Sequence, residues 1–164
     1  MNPEATDVSA WFNMLGEPLG FDEIADIAAY LRGLSLDPAM PVIGVKDWSE
    51  ARIWCRHPVE EWWDAEEAER QQLQQRVRLP AADRAWLALT DSLHGAAAVA
   101  AARGGCADPG LIGAAAGAAI YAAHQYRLAQ EAGVAAQHPF LRKHALFAGG
   151  RWPLGVHAGR FGIF

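Results

Sequence analysis

Apolar residues recur at helical spacing through most of the chain. From Asp22 onward the positions Ile24, Ile27, Ala28, Leu31 and Leu34 fall on one face. They predict a helix that ends in a left-handed cap at Gly33. A shorter pattern, Trp11, Phe12 and Leu15, predicts a helix from Asp7 to Leu15 stopped by Gly16. Residues 35–46 hold Pro38, Pro41 and Gly44 and read as loop, with an extended piece at Val42 to Val45. Asp47 or Ser49 caps a helix running to His57, and Pro58 ends it, because the residue before proline is pushed out of the helical region.

The next segment, 58 to about 78, carries a broken stripe of Val59, Trp62, Trp63, Leu73 and Val77 around a polar middle. The pattern predicts packed ends and a solvated centre. There Glu66 and Arg70 form an i, i+4 pair contributing about 0.3 kcal/mol. Two long alanine-rich patterns follow. One starts near Pro80 and stops at Gly104-Gly105; the other starts at Asp108-Pro109, a strong N-terminal signal, and stops near Gly133. The short loop between them predicts an antiparallel helical hairpin. Its facing residues are expected to be Gly95, Ala96, Ala97, Ala100 and Ala101 against Gly113, Ala114, Ala116, Gly117 and Ala118. Close backbone approach would explain glycines that each cost about 0.5–1 kcal/mol inside a helix. The implied alignment sets Asp91 opposite Tyr121 as an interhelical hydrogen bond. It leaves His94 and His124 about 9 Å apart along the axis, too far to share a metal ion.

After His138-Pro139, residues 140–148 predict one or two helical turns. The periodicity then changes from 3.6 to 2. Trp152, Leu154 and Val156 alternate, as do Phe161 and Ile163, around Ala158-Gly159, which predicts a β-hairpin with Pro153 in an edge strand. Phe161 and Phe164 are expected to be buried. The hairpin would pair either with residues 42–45 or with the same strand of a second copy, making it a route to a homo-oligomer. The fold class is therefore mostly α: a small helical bundle built on a long Ala/Gly-rich antiparallel hairpin, closed by a short C-terminal β-hairpin. The 164 residues fit one domain, with N-terminal helices and loop over 1–46, a helical core over 47–133 and a C-terminal segment over 134–164.

Composition narrows the function without assigning it. The formal net charge is -5 with 14 Lys and Arg in no dense run, which argues against nucleic acid. Two isolated cysteines, Cys55 and Cys106, make neither a disulfide framework nor a zinc site. No apolar run is long enough to span a membrane, and no signal-peptide pattern opens the chain, so the expectation is a soluble cytoplasmic protein. Phosphate-binding glycine loops, nucleophile elbows and metalloprotease motifs are absent. Cys55 beside His57 is better read as a small core hydrophobe than as a nucleophile, since i and i+2 diverge on a helix.

The compositional anomaly is tryptophan, seven in all, with Trp48, Trp54, Trp62 and Trp63 in one stretch. Trp and Arg are the residue types enriched at binding hot spots. The sequence therefore favours a non-catalytic protein-binding module, of the adaptor, chaperone, inhibitor or regulatory-subunit kind. Its contact residues would be Trp62, Trp63 and Glu66 on the acidic helix, and Arg151, Trp152, His157 and Arg160 on the hairpin. It would need no cofactor, and its partner would be a basic protein. The competing reading is a small helical enzyme or metal-binding protein. That reading draws on Asp91, His94, Tyr121 and His124, or on His138, His144 and His157.

Overall fold

A computed structural model describes residues 8–56, 60–79 and 83–164. Asp7, His57, Pro58, Val59 and Pro80, which bear on the predicted ends of helices, lie outside the described residues. The elements in chain order are α1 (Phe21–Gly33), β1 (Val42–Gly44), α2 (Trp48–Cys55), α3 (Glu60–Arg76), α4 (Arg84–Arg103), α5 (Pro109–Glu131), α6 (Pro139–Ala148), β2 (Pro153–His157) and β3 (Arg160–Ile163). The mostly α class with a C-terminal β-hairpin is what the structure shows.

Capping fixes the helix starts. Asp47 accepts from the backbone N–H of Ser49 at 2.8 Å and of Glu50 at 2.9 Å. Asp83 accepts from Trp86 N–H at 2.8 Å, and Asp108 from Gly110 N–H at 3.0 Å. A histidine does the same for α6: His138 Nδ1 accepts from Phe140 N–H at 3.2 Å, while its Nε2 lies 2.8 Å from Glu69 Oε1. With Pro139 at the first position, this cap carries α6 through ten residues, more than the one or two turns expected. At the end of α1 the left-handed residue is Ser35 (φ 59°), not Gly33. Gly33 serves packing instead, since a Cβ there would meet Pro139 of α6 at 3.0 Å. Residues 8–16 form successive turns rather than a helix. Phe12 has φ 64°, and this reversal sends both Trp11 and Phe12 into the core, where Trp11 stacks on Phe147 at 5.2 Å.

Helix α5 is the axis of the molecule. Leu111, Ala115, Ala116, Ala119, Ala122, Ala123, Leu128 and Ala129 are buried along it, against α4, α6 and α3. The α4–α5 hairpin is antiparallel, and its alignment is close to the expected one: Trp86 meets the ring of His124 at 6.1 Å. Its rotation differs. Ala97, Ala100 and Ala101 of α4 are buried, but Gly95, Gly113 and Gly117 are exposed, and a Cβ added to any of them meets nothing within 4 Å. Alanine, not glycine, makes the close seam. Asp91 is likewise exposed, and Tyr121 turns toward α3 instead of meeting it.

The sheet has the order β1-β3-β2, with β1 parallel to β3 and β2 antiparallel to it. Ala158 and Gly159, at φ 49° and 69°, make the tight turn, a conformation that suits the twist of a two-residue hairpin. Phe161, Ile163 and Phe164 are buried as expected. The edge of β3 is taken by β1 of the same chain, so that edge is not open to a second copy. Both faces of the sheet are covered by indoles. Gly162 lies under Trp54, where a Cβ would come within 2.6 Å of the ring, and Gly155 (φ 100°) lies under Trp62. No helix among the described residues is long and apolar enough to cross a membrane.

Candidate functional site

The polar middle of α3 is the first surprise. Glu66 is 1 % exposed, among the most buried side chains of its helix rather than solvated. Lys143 of α6, 3 % exposed, donates to both its carboxylate oxygens at 2.7 Å. Tyr30 of α1 donates its hydroxyl to Glu66 Oε1 at 2.5 Å and accepts from Trp62 Nε1 at 2.6 Å. Gln125 of α5 adds a weaker bond from Nε2 to Oε2 at 3.3 Å. Four helices are thus tied at one desolvated point, each with a partner that a charged group needs there. Burial pushes the Tyr30 hydroxyl well up, reinforced by the adjacent carboxylate. Burial pulls the Lys143 ammonium down, against the opposing attraction of Glu66.

Because Glu66 turns inward, its neighbour takes the surface role expected of it. Glu67 is held by Arg70 Nε at 2.8 Å and by Arg70 Nη2, and it accepts from Gln71 at 3.0 Å. Those hydrogen bonds, Arg70 first, bring its carboxyl down to about 2.

On the outer side of this network, α3 and α4 flank α5 and leave an open groove of about 540 Å³. Its walls are Trp63, Glu67 and Arg70 from α3 and Trp86 from α4; its floor is Gly117, Ile120, Tyr121 and His124 of α5. Trp63 is 49 % exposed and stacks on Tyr121 with centroids 5.5 Å apart at 20°. Behind Tyr121 stands the buried ammonium, Lys143 Nζ lying 5.3 Å from the ring centre. Arg127 lies 5.0 Å over Trp86. Burial, aided by Arg70 and Arg127, lowers the His124 imidazole from its ordinary value. The groove therefore combines three aromatic rings, an imidazole and a compensated ion pair. Apolar walls with a few fixed polar groups, at this volume, suit a ligand or a partner's side chains.

The predicted contact residues divide sharply. Trp63 lines the groove. Trp62 is buried on Gly155 and Glu66 is buried on Lys143, so neither presents a surface; both brace the groove from behind. Arg151, 2 % exposed, is also interior. It donates to the carbonyls of Met14, Glu17 and Pro18 at 2.5, 2.7 and 2.8 Å and to Glu23 at 2.6 Å, tying the N-terminal loop to the sheet. Trp152, 2 % exposed, packs on Trp48 and Phe164. His157 is half-buried beside Trp54, and Arg160 alone of the hairpin set is exposed. Hydrophobic closure of the sheet on both faces consumes the hairpin that the residue types suggested for recognition.

The other chemical candidates fare as follows. Cys55 is exposed as a residue at the end of α2 and not part of the core, but its thiol is shielded enough for burial to push it up to about 11, leaving no thiolate. His94 is exposed on α4, and His138 is occupied as a cap. His144 is sandwiched between Tyr126, at 3.8 Å, and Trp11. Among the described residues, no three His, Cys, Asp or Glu side chains come together as a metal site. Sequence reading missed Trp86, Gly117, Ile120 and His124 as one surface; the signal available was the Trp63/Glu67/Arg70 spacing on one helical face. The chain matches no family model, and no curated protein and no solved structure matches it.

Proposed function

We propose that the protein is a non-catalytic protein-binding module and that the aromatic groove between α3 and α4, floored by α5, receives an apolar or aromatic anchor of its partner. One observation carries this reading: Trp63 remains half-exposed, stacked on Tyr121 at the rim of an open groove, while Trp62 next to it is fully used by the core. An exposed indole stacked on a tyrosine in a shallow, open groove, with an arginine beside it, has the composition of a binding hot spot. The Glu66–Lys143–Tyr30 network holds the groove's back wall. It is sealed from the groove, which speaks against its use as catalytic machinery.

The acidic helix over 58–78 pointed to a basic partner. The groove does not require one, because Glu67 is neutralised by Arg70 and Arg127 stands at the opposite wall. The test is affinity capture with the tagged chain and with Trp63→Ser, Gly117→Leu and His94→Ala, followed by identification of bound proteins. A protein retained by the wild type and His94→Ala and lost by the two groove variants is the expected result. Equal recovery on all four baits refutes the groove as the binding surface.

A further inference from the structure

Phe21 is 86 % exposed at the first turn of α1, the most exposed large apolar side chain among the described residues, with Ile24 at 44 % one turn on. Asp22, next in the chain, and Glu17, four residues earlier, are exposed carboxylates. The groove offers the complement. Two of its rings already carry a cation on one face, Arg127 over Trp86 and Lys143 over Tyr121, so they suit an uncharged ring better than a further cation. Arg127, stacked over Trp86 beside His124, puts a positive charge at that end and favours a carboxylate there, Arg70 being paired with Glu67. The acidic residues Glu60, Glu61 and Asp64 sit at the other end of α3, beyond Trp63, and repel an acidic occupant from that side.

From this match of an aromatic knob flanked by carboxylates to an aromatic groove with a basic end, we propose that the groove's occupant is Phe21 of a second copy of this chain. The inference rests on the groove being a binding surface. Knob and groove are separate surfaces and each copy offers both, so copies associate either reciprocally as a two-fold dimer or head to tail into longer assemblies.

The experiment is light scattering with sedimentation velocity across a concentration series, on wild type, Phe21→Ser and Trp63→Ser, each checked for an unchanged far-ultraviolet spectrum. Phe21 is 86 % exposed and Trp63 half-exposed, so both variants are expected to fold. The wild type should grow in mass with concentration, to a dimer or beyond. Each variant alone should lose at least about tenfold in association constant. Mixed in equal amounts they should form a complex that stops at two chains, because one supplies only the knob and the other only the groove. High salt should weaken it. A wild type that stays at 17.7 kDa throughout, self-association by Phe21→Ser alone, or no complex in the mixture overturns the proposal. If self-association is absent yet Trp63→Ser still loses a captured partner protein, the self-docking fails while the groove reading stands.

Discussion

Replacing Lys143 by Met removes the only cation hydrogen-bonded to Glu66 among the described residues while leaving that carboxylate 1 % exposed. Tyr30 and Gln125 still donate to it, at 2.5 and 3.3 Å, but two hydrogen bonds from neutral groups do not replace an ammonium bonded to both oxygens. Breaking a buried pair from one side costs about 3–5 kcal/mol, which for a chain of this size lowers Tm by roughly 6–20 °C. Glu66→Gln should cost less. It keeps an acceptor for Tyr30, and Lys143, already drawn down by burial, can shed its proton. The folded pKa of that lysine then lies further below its unfolded value, so the unfolded chain binds more protons between the two. Stability of Glu66→Gln should therefore rise with pH from neutral toward about 10, the reference value for lysine. The double variant Glu66→Gln/Lys143→Met removes both charges and should recover at least about 2 kcal/mol of the summed single losses. Urea unfolding of the four proteins at pH 7 and pH 9.5 gives the full cycle. Single losses below about 1 kcal/mol that simply add would show that the pair does not tie the four helices as described.

Other outcomes follow from the same packing. His144 lies between Tyr126 and Trp11 with burial drawing it down to about 4, so the unfolded chain takes up its proton first; stability should fall by about 2–3 kcal/mol between pH 6.5 and 4, and His144→Phe should flatten that slope in urea titrations. Gly95→Ala and Gly113→Ala should each raise stability by about 0.5–1 kcal/mol, since the new methyl meets nothing within 4 Å; a destabilised variant would restore the close-packing role first expected of these glycines. Gly162→Ala should cost about 2 kcal/mol or more by forcing Trp54 off the sheet, read as a shift in urea midpoint at constant slope.

The elements were largely legible because each carried its own local signal. Asp108-Pro109 set the start of α5 at the residue observed, and Ala158-Gly159 set the turn of the β-hairpin. What periodicity does not encode is rotation about the helix axis. The α4–α5 alignment is right to within about two residues, as Trp86 against His124 shows, yet a modest turn moved Gly95, Gly113 and Asp91 outward and gave the seam to alanine. The buried Glu66 was hidden for a related reason. A lone carboxylate in Glu-Glu-Ala-Glu-Arg-Gln-Gln reads as solvated, and its partner Lys143 lies 77 residues away. Residue type suggested recognition by tryptophan and arginine, but long-range packing decided which of them remain at the surface. Arg151 and Trp152 went to the interior, and Trp63 stayed out.

Gly117→Leu tests the groove most directly, because it separates binding from folding by sign. A side chain at 117 rises from the groove floor into space where a Cβ meets nothing within 4 Å, and leucine is the better helix former by about 0.5–1 kcal/mol. Titration of the captured partner, alongside a thermal melt, should show affinity reduced at least about tenfold while Tm is unchanged or raised. Unchanged affinity in a stable Gly117→Leu protein would place the partner elsewhere and contradict the aromatic groove as the working surface.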